Sequence, residues 1–249
     1  MRLDLYLVEN GYYKTRTKAQ AAIKAGDVLV DNKKAKSSDE VTSDNKIEVV
    51  SNSCPYVSRG GLKLECAIKE FLLDFKDKTI LDIGASTGGF TDCALKFGAK
   101  KVVAVDVGTN QLADELRCND KVEFYENTNI LDFKTDTLFD YVVMDVSFVT
   151  IEYLLEGINN FIKDNTIFIA LIKPQFELSG KRFKNGIVKD YHLWHDSILG
   201  VEEALEGYNL SIHKIVKSSI KGSDGNQEFL TLIKRGINKN INFLSVCKE

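Results

Sequence analysis

The sequence predicts an α/β protein, a mostly parallel, doubly wound sheet preceded by a small α+β module. Three observations predict it. The stretch Thr79 to Phe90, TILDIGASTGGF, is an apolar run that closes on an acidic residue and opens into glycines. Apolar runs of strand length then recur down the chain, separated by polar or helical stretches. Residues 1 to about 50 change partway from helical spacing of apolar positions to alternation. With 249 residues, 44% of them hydrophobic, the chain can hold one large domain, or one domain and a small appendage.

In chain order, Leu3, Leu5, Tyr6 and Leu7, then Ala19, Ala21, Ala22 and Ile23, recur at helical spacing on either side of Gly11, which predicts two short helices. Val28 and Val30 alternate with Leu29 ahead of an Asp31-Asn32 turn, and a last strand follows at Lys46 to Val50. Between Gly11 and Lys36 seven basic residues face two acidic ones, so the module has a local basic surface although the net charge of the chain is −3. Charge alone leaves two readings open, a nucleic-acid face or a solvated helix face.

Residues 51 to 61, SNSCPYVSRGG, have the composition of a linker, and Arg59 at its end either touches RNA or is solvated. LKLECAIKEFLLDF then sets Leu64, Ala67, Ile68, Phe71 and Phe75 on one helical face, with Lys63 beside it. Ile80, Leu81 and Ile83 form a buried strand, and Gly84, Gly88 and Gly89 let the backbone turn tightly toward a ligand past the small Ala85, Ser86 and Thr87. A second strand, Lys101 to Val107, carries Asp106 near its end, where such folds hold a ribose diol. The glycine order G-x-x-x-G-G departs from the G-x-G-x-x-G of dinucleotide sites, which disfavours NAD.

Further strands are predicted at Val122 to Tyr125, Tyr141 to Val146 and Thr166 to Ile172. Asp145 and Lys173 end two of these runs, where ligands gather in parallel sheets. Pro174 fixes the chain after Lys173, and a Gly222, Gly225, Asn226 turn leads Glu228 into a final strand. A single charge there can simply meet solvent; together they make a constellation.

The five cysteines are scattered, without a C-x-x-C pair or a histidine cluster, so neither a metal site nor a disulfide framework is expected. No run approaches the ~18 apolar residues of a membrane span. A cytoplasmic protein without stable membrane insertion is expected.

RLDLYLVENGYYKTRTKAQAAIKAGDVLV resembles the alpha-L, or S4-like, RNA-binding motif. Arg2, Leu3, Asp4, Arg16, Ile23, Gly26, Val28 and Val30 match it, while Asp31-Asn32 replaces the usual N-G. RGGLKL, LDIGASTGGFTD, VAVDVGTNQL, MDVSF, LIKPQFE and GNQEF, in that order, resemble the TlyA family, often labelled hemolysins, which joins the S4-like module to an FtsJ-like methyltransferase domain. The resemblance implies a Rossmann-like domain with a seven-stranded, mostly parallel sheet at residues 61–236. It also implies an S4-like domain at 1–52, a linker at 53–60 and a tail at 237–249 with no assigned role. The implied activity is transfer of a methyl group from S-adenosylmethionine to a cytidine 2′-hydroxyl of 16S or 23S ribosomal RNA, free or in a subunit.

By that resemblance the catalytic residues are Lys63, Asp145, Lys173 and Glu228. Lys173 is the base, Asp145 orients it, and Glu228 holds Lys63. Gly84, Ser86 and Gly88 surround the methionine part of the cofactor, Asp106 accepts from its ribose, and Asp82 supports the loop. Asn129 lies near the adenine or simply makes a turn. Arg2, Arg16, Lys18, Lys24 and Arg59 contact RNA, which would position it without reading its sequence. Two rival readings are a methyltransferase for a non-RNA acceptor and a membrane-active hemolysin; an RNA-binding protein with an inactive domain is a third. Residues 178–190 are basic and either extend an RNA surface or form a loop. The motifs leave the modified nucleotide and the oligomeric state open.

Overall fold

The computed structural model describes residues 1–13, 15–49, 54–178, 183, 186–222, 224–238 and 240–248. Within these, the side chains of Lys18, Ala21, Lys24 and Ala25 are outside the description. The chain divides into two compact units, Met1–Cys54 and Pro55–Glu249.

In the first unit, α1 (Leu3–Glu9) and α2 (Arg16–Ala25) accompany a small antiparallel sheet of β1 (Val28–Val30), β2 (Lys33–Lys34) and β3 (Ile47–Val49), in the order β2-β1-β3. Asp31 and Asn32 both take positive φ, 50° and 63°, and join β1 to β2 as a two-residue hairpin, which is why polar turn formers stand there. Leu3, Leu7, Ala19, Ile23, Val28 and Val41 make the core. Asp4, fully buried, is its polar centre. Its carboxylate accepts from Arg2 at 3.1 Å, from Arg16 Nε at 2.9 Å and from Gln20 Nε2 at 2.6 Å.

The second unit holds a seven-stranded sheet in the order β6-β5-β4-β7-β8-β10-β9. Its strands are β4 (Thr79–Ile83), β5 (Lys101–Val105), β6 (Val122–Tyr125), β7 (Tyr141–Met144), β8 (Ile167–Ile172), β9 (Leu210–Lys217) and β10 (Phe229–Arg235). β4 to β8 pair in parallel, and β10 runs antiparallel to β8 and β9. The helices are α3 (Gly60–Phe71), α4 (Gly89–Lys96), α5 (Asp114–Arg117), α6 (Ile151–Asn159), α7 (Pro174–Glu177), α8 (Tyr191–Glu206) and α9 (Phe243–Lys248). The central strands are buried along almost their whole length, which explains their unbroken apolar sequences.

Three sequence expectations change. Helix α3 stops at Phe71, because Leu72 takes φ 57° and its N–H closes onto the Ile68 carbonyl. Phe75 therefore reaches the core from the following turn, with its ring 4.5 Å from Tyr141. The strands after Lys101 and Tyr141 end at Val105 and Met144, so Asp106 and Asp145 leave the ladder and face the strand ends. The tail folds back: α9 rests on α8, and Phe243 and Cys247 are buried in the core.

Candidate active site

Sheet register brings the charged residues together. β4 and β7 are level, Ile83 opposite Met144, so Gly84 and Asp145 emerge side by side at the carboxyl ends of their strands. β8 lies next to β7 and ends at Ile172, which puts Lys173 on the same rim. β10 runs the other way and pairs Phe229 with Ile172, so Glu228, one residue before Phe229, stands opposite Lys173. Three of the four predicted catalytic groups are thus placed by backbone pairing alone.

Lys63 arrives from α3. Its neighbour Gly61 has no room for a Cβ, which would overlap the Tyr56 ring, and a Cβ on Gly89 of α4 would overlap Ser58 Oγ and lie 2.9 Å from Gly61 N. The glycines let the starts of α3 and α4 approach until the Lys63 ammonium reaches the rim.

The four side chains form one chain of alternating charge. Glu228 Oε2 lies 2.8 Å from Lys63 Nζ, Lys63 Nζ 3.1 Å from Asp145 Oδ2, and Asp145 Oδ1 2.6 Å from Lys173 Nζ. Lys173 Nζ also donates to Ser147 Oγ at 2.8 Å. Lys63, Lys173 and Glu228 are buried. Burial alone would push Asp145 up, but the Lys63 and Lys173 ammoniums outweigh it and hold the carboxyl below its usual range. Burial would lower Lys63, but Asp145 and Glu228 overcome it and raise the lysine, so Lys63 stays charged. Two cations against two anions make the site neutral overall, which is what allows it to be buried.

Two adjoining cavities open on this chain. One, of about 410 Å³, is lined by Lys63, Lys173 and Glu228 together with Arg59, Phe176 and Lys221. The other, of about 480 Å³, is lined by Asp106, Val107, Asn129, Ile130, Tyr153 and Leu154. Gly84, Ser86, Asp145, Ser147 and Phe148 line both and form the shared wall.

The second cavity has the size and polarity for a nucleoside-containing ligand, with apolar walls and a few convergent polar groups. Asp106 Oδ2 accepts from Ser86 N at 2.7 Å and Oδ1 from Gly108 N at 2.6 Å, which clamps the two loops and leaves further lone pairs to accept ribose hydroxyls. Gly84 takes φ 78°, and a Cβ there would sit 2.9 Å from Val146 Cγ1. Asn129 lines the cavity while its Oδ1 accepts from Leu131 N at 3.1 Å, so the turn and the cavity positions coincide. The donor set suits a ligand with a diol, an apolar ring and a cationic group: Asp106 keeps free acceptor lone pairs, Val107, Ile130, Tyr153 and Leu154 are largely apolar walls, and Asp145 is an anion on the shared wall.

Two predicted cofactor residues lie elsewhere. Gly88, at φ 95°, lines neither cavity, and a Cβ there would overlap Leu116 of α5. Asp82 is buried beneath the loop, where it accepts from the Thr91 hydroxyl at 2.6 Å, and burial pushes its carboxyl up to about 7. Among the predicted RNA contacts, Arg2 and Arg16 hold Asp4 and keep nearly half their side chains exposed, and Arg59 is exposed on the 410 Å³ cavity. The Lys18 and Lys24 side chains, like Lys181, Arg182 and Lys184, lie outside the described residues.

Residues 56–235 match the model of the FtsJ-like methyltransferases, and residues 1–47 match that of the S4 domain. The chain belongs to the FtsJ-like methyltransferase family. Its relatives include a candidate rRNA methyltransferase of Bacillus subtilis, YqxC, 44% identical over 92% of this chain and 84% of that one. The 16S/23S rRNA (cytidine-2′-O)-methyltransferase TlyA of Mycobacterium tuberculosis is 35% identical over 94% of this chain and 89% of its own. A solved structure from Streptococcus thermophilus, described as a candidate hemolysin, is 33% identical and covers 100% of this chain and 94% of that one, with a TM-score of 0.79. As an FtsJ-like methyltransferase the chain uses S-adenosylmethionine as methyl donor.

Four cavity residues of this FtsJ-like domain are not among the site residues the sequence singles out: Ser147, Phe148, Tyr153 and Lys221. Phe148 is the most unusual of them, 90% exposed at φ 67°, with its ring 4.9 Å from Phe176. A bulky residue at positive φ is strained, and such strain clusters at binding sites. The motif MDVSF contains both Ser147 and Phe148, two and three residues after Asp145.

Proposed function

We propose that the protein methylates the ribose 2′-hydroxyl of cytidine in ribosomal RNA. One observation carries this reading: the Glu228–Lys63–Asp145–Lys173 chain stands at the wall shared by two cavities. The S4 match of the first unit favours RNA over a non-RNA acceptor, and the relatives named for cytidine-2′-O transfer narrow the acceptor to rRNA.

Bound S-adenosylmethionine supplies an already activated methyl group, so the protein has to align a weak oxygen nucleophile and relieve it of a proton. Lys63, held charged between two carboxylates, binds and orients the ribose oxygens. Lys173, ionised at rest and neutral at the moment of attack, takes the proton on Nζ, and Asp145 fixes the direction of that nitrogen while stabilising the ammonium that is re-formed. Glu228 keeps Lys63 in place. Asp106 and the apolar wall of the second cavity hold the cofactor, and Arg59 with the S4 unit's arginines and lysines binds phosphates.

The test is label transfer from S-adenosylmethionine to both ribosomal subunits and to their naked RNA, with the label mapped by nucleotide. Label on a cytidine 2′-oxygen supports the reading. Cofactor binding without transfer to any of these RNAs favours the non-RNA acceptor. The hemolysin reading is tested by dye leakage from liposomes; among the described residues, no helix is long and apolar enough to cross a membrane.

A further inference from the structure

We infer that Ser147 is a catalytic residue that relays the acceptor proton to Lys173. The inference rests on the reading of Lys173 as the base. Lys173 lines only the 410 Å³ cavity and is 94% buried, whereas Ser147 is exposed and lines both cavities. A methyl group passing from one cavity to the other crosses the wall they share. The accepting oxygen must therefore meet that wall at the moment of transfer, which Ser147 lines from both cavities and Lys173 from one. The two are already joined, Lys173 Nζ donating to Ser147 Oγ at 2.8 Å.

The chemistry of the two partners of Lys173 differs. Asp145, ionised, can only accept, so it favours the ammonium. A serine hydroxyl accepts from an ammonium and donates to an amine, so Ser147 alone keeps its contact in both states. Of the other polar side chains on the shared wall, Asp145 is committed to both lysines.

The relay balances. Lys173 first gives one ammonium proton to solvent and stands as the neutral amine. The ribose O–H then breaks and its proton passes to Ser147 Oγ, while the proton of the Ser147 hydroxyl passes to the lone pair of Lys173 Nζ, restoring the ammonium and regenerating the serine. The electron pair left on the ribose oxygen forms the new O–C bond as the methyl–sulfur bond breaks, with that bond's pair remaining on sulfur.

The experiment uses single-turnover methyl transfer to ribosomal subunits at saturating cofactor, with Ser147→Ala, Ser147→Val and Ser147→Thr beside Lys173→Met. Binding of S-adenosylhomocysteine and of RNA is measured separately for each. The relay predicts a rate about 100-fold lower for Ala and Val, near-normal rate for Thr, and unchanged binding for all three. It also predicts a curved rate dependence in mixtures of H2O and D2O for the wild-type protein, reflecting two moving protons, and a linear one for Ser147→Ala. Wild-type rates in Ala and Val with Lys173→Met inactive would overturn the relay and leave the base in place. A loss traced wholly to weaker binding would overturn it too. Full activity in Lys173→Met would instead overturn the base, and the relay with it.

Discussion

Replacing Asp145 with asparagine removes one anion from a buried, neutral set of four and leaves two ammoniums facing Glu228 alone. Breaking a buried ion pair by removing one partner costs about 3–5 kcal/mol, against a total stability of about 5–15 kcal/mol. At about 2–4 °C per kcal/mol for a domain of this size, the second unit should melt about 10 °C lower. The pH dependence follows from the two shifts. Asp145 is depressed in the folded state, so its contribution is present above the unfolded value of about 3.9 and is lost as pH falls through the folded one. Lys63 is raised, so its contribution is present below about 10.4 and is lost as pH rises through its folded value. The gap between wild type and variant should therefore be flat through neutral pH and narrow in acid. Trp194, the single tryptophan, lies 5.8 Å from Phe229, the residue after Glu228, so its fluorescence in a urea titration reports this unit directly. A variant within about 1 kcal/mol of wild type at pH 7, with the same pH profile, would refute the claim that the four charges depend on one another.

Three further outcomes are expected. Asp106→Ala loses the acceptor of Ser86 N and Gly108 N and of the ribose, so the dissociation constant for S-adenosylhomocysteine should rise about 10- to 100-fold by calorimetry; unchanged affinity would remove Asp106 from the cofactor site. Asp4→Asn should unfold the Met1–Cys54 unit first, visible by circular dichroism while the Trp194 transition holds, and wild type should lose the same stability in acid as pH falls below about 3.9. Burial pushes Glu177, whose carboxylate accepts from Ile151 N, up to about 7, so its ionisation opposes folding from about pH 4.3 upward and fully above 7. Glu177→Gln keeps an acceptor and should raise the urea midpoint at pH 8 but not at pH 4.

The strands that carry the site were readable because parallel strands buried on both faces have unbroken apolar sequences, and a charge that ends such a run has few other places to be. β9 was not expected: it is an edge strand, LSIHKIVK, whose lysines and histidine blur the alternation. Lys63 carried no local signal, since a lysine on a helix is usually solvated. What buries it is the close approach of α3 and α4 at Gly61 and Gly89, a tertiary event that brings together segments far apart in sequence. Ser147 and Phe148 escaped for another reason. Their importance comes from loop conformation, including φ 67° at Phe148, and backbone strain leaves no trace in residue type when the strained residue is not glycine. The tail looked appended because of its Asn and Lys content, and Asn240, Asn242 and Lys248 are indeed exposed, yet Ser211 Oγ donates to Gly236 O at 2.7 Å and Asn238 N donates to Ser211 Oγ at 2.9 Å, tying it to β9.

The most direct test of the central claim is single-turnover methyl transfer to ribosomal subunits by wild type and Lys173→Met, with cofactor and RNA binding measured on the same preparations. The account predicts label on a cytidine 2′-oxygen with wild type and none above background with the variant, while both bind cofactor and RNA alike. Equal transfer by the two proteins would contradict it.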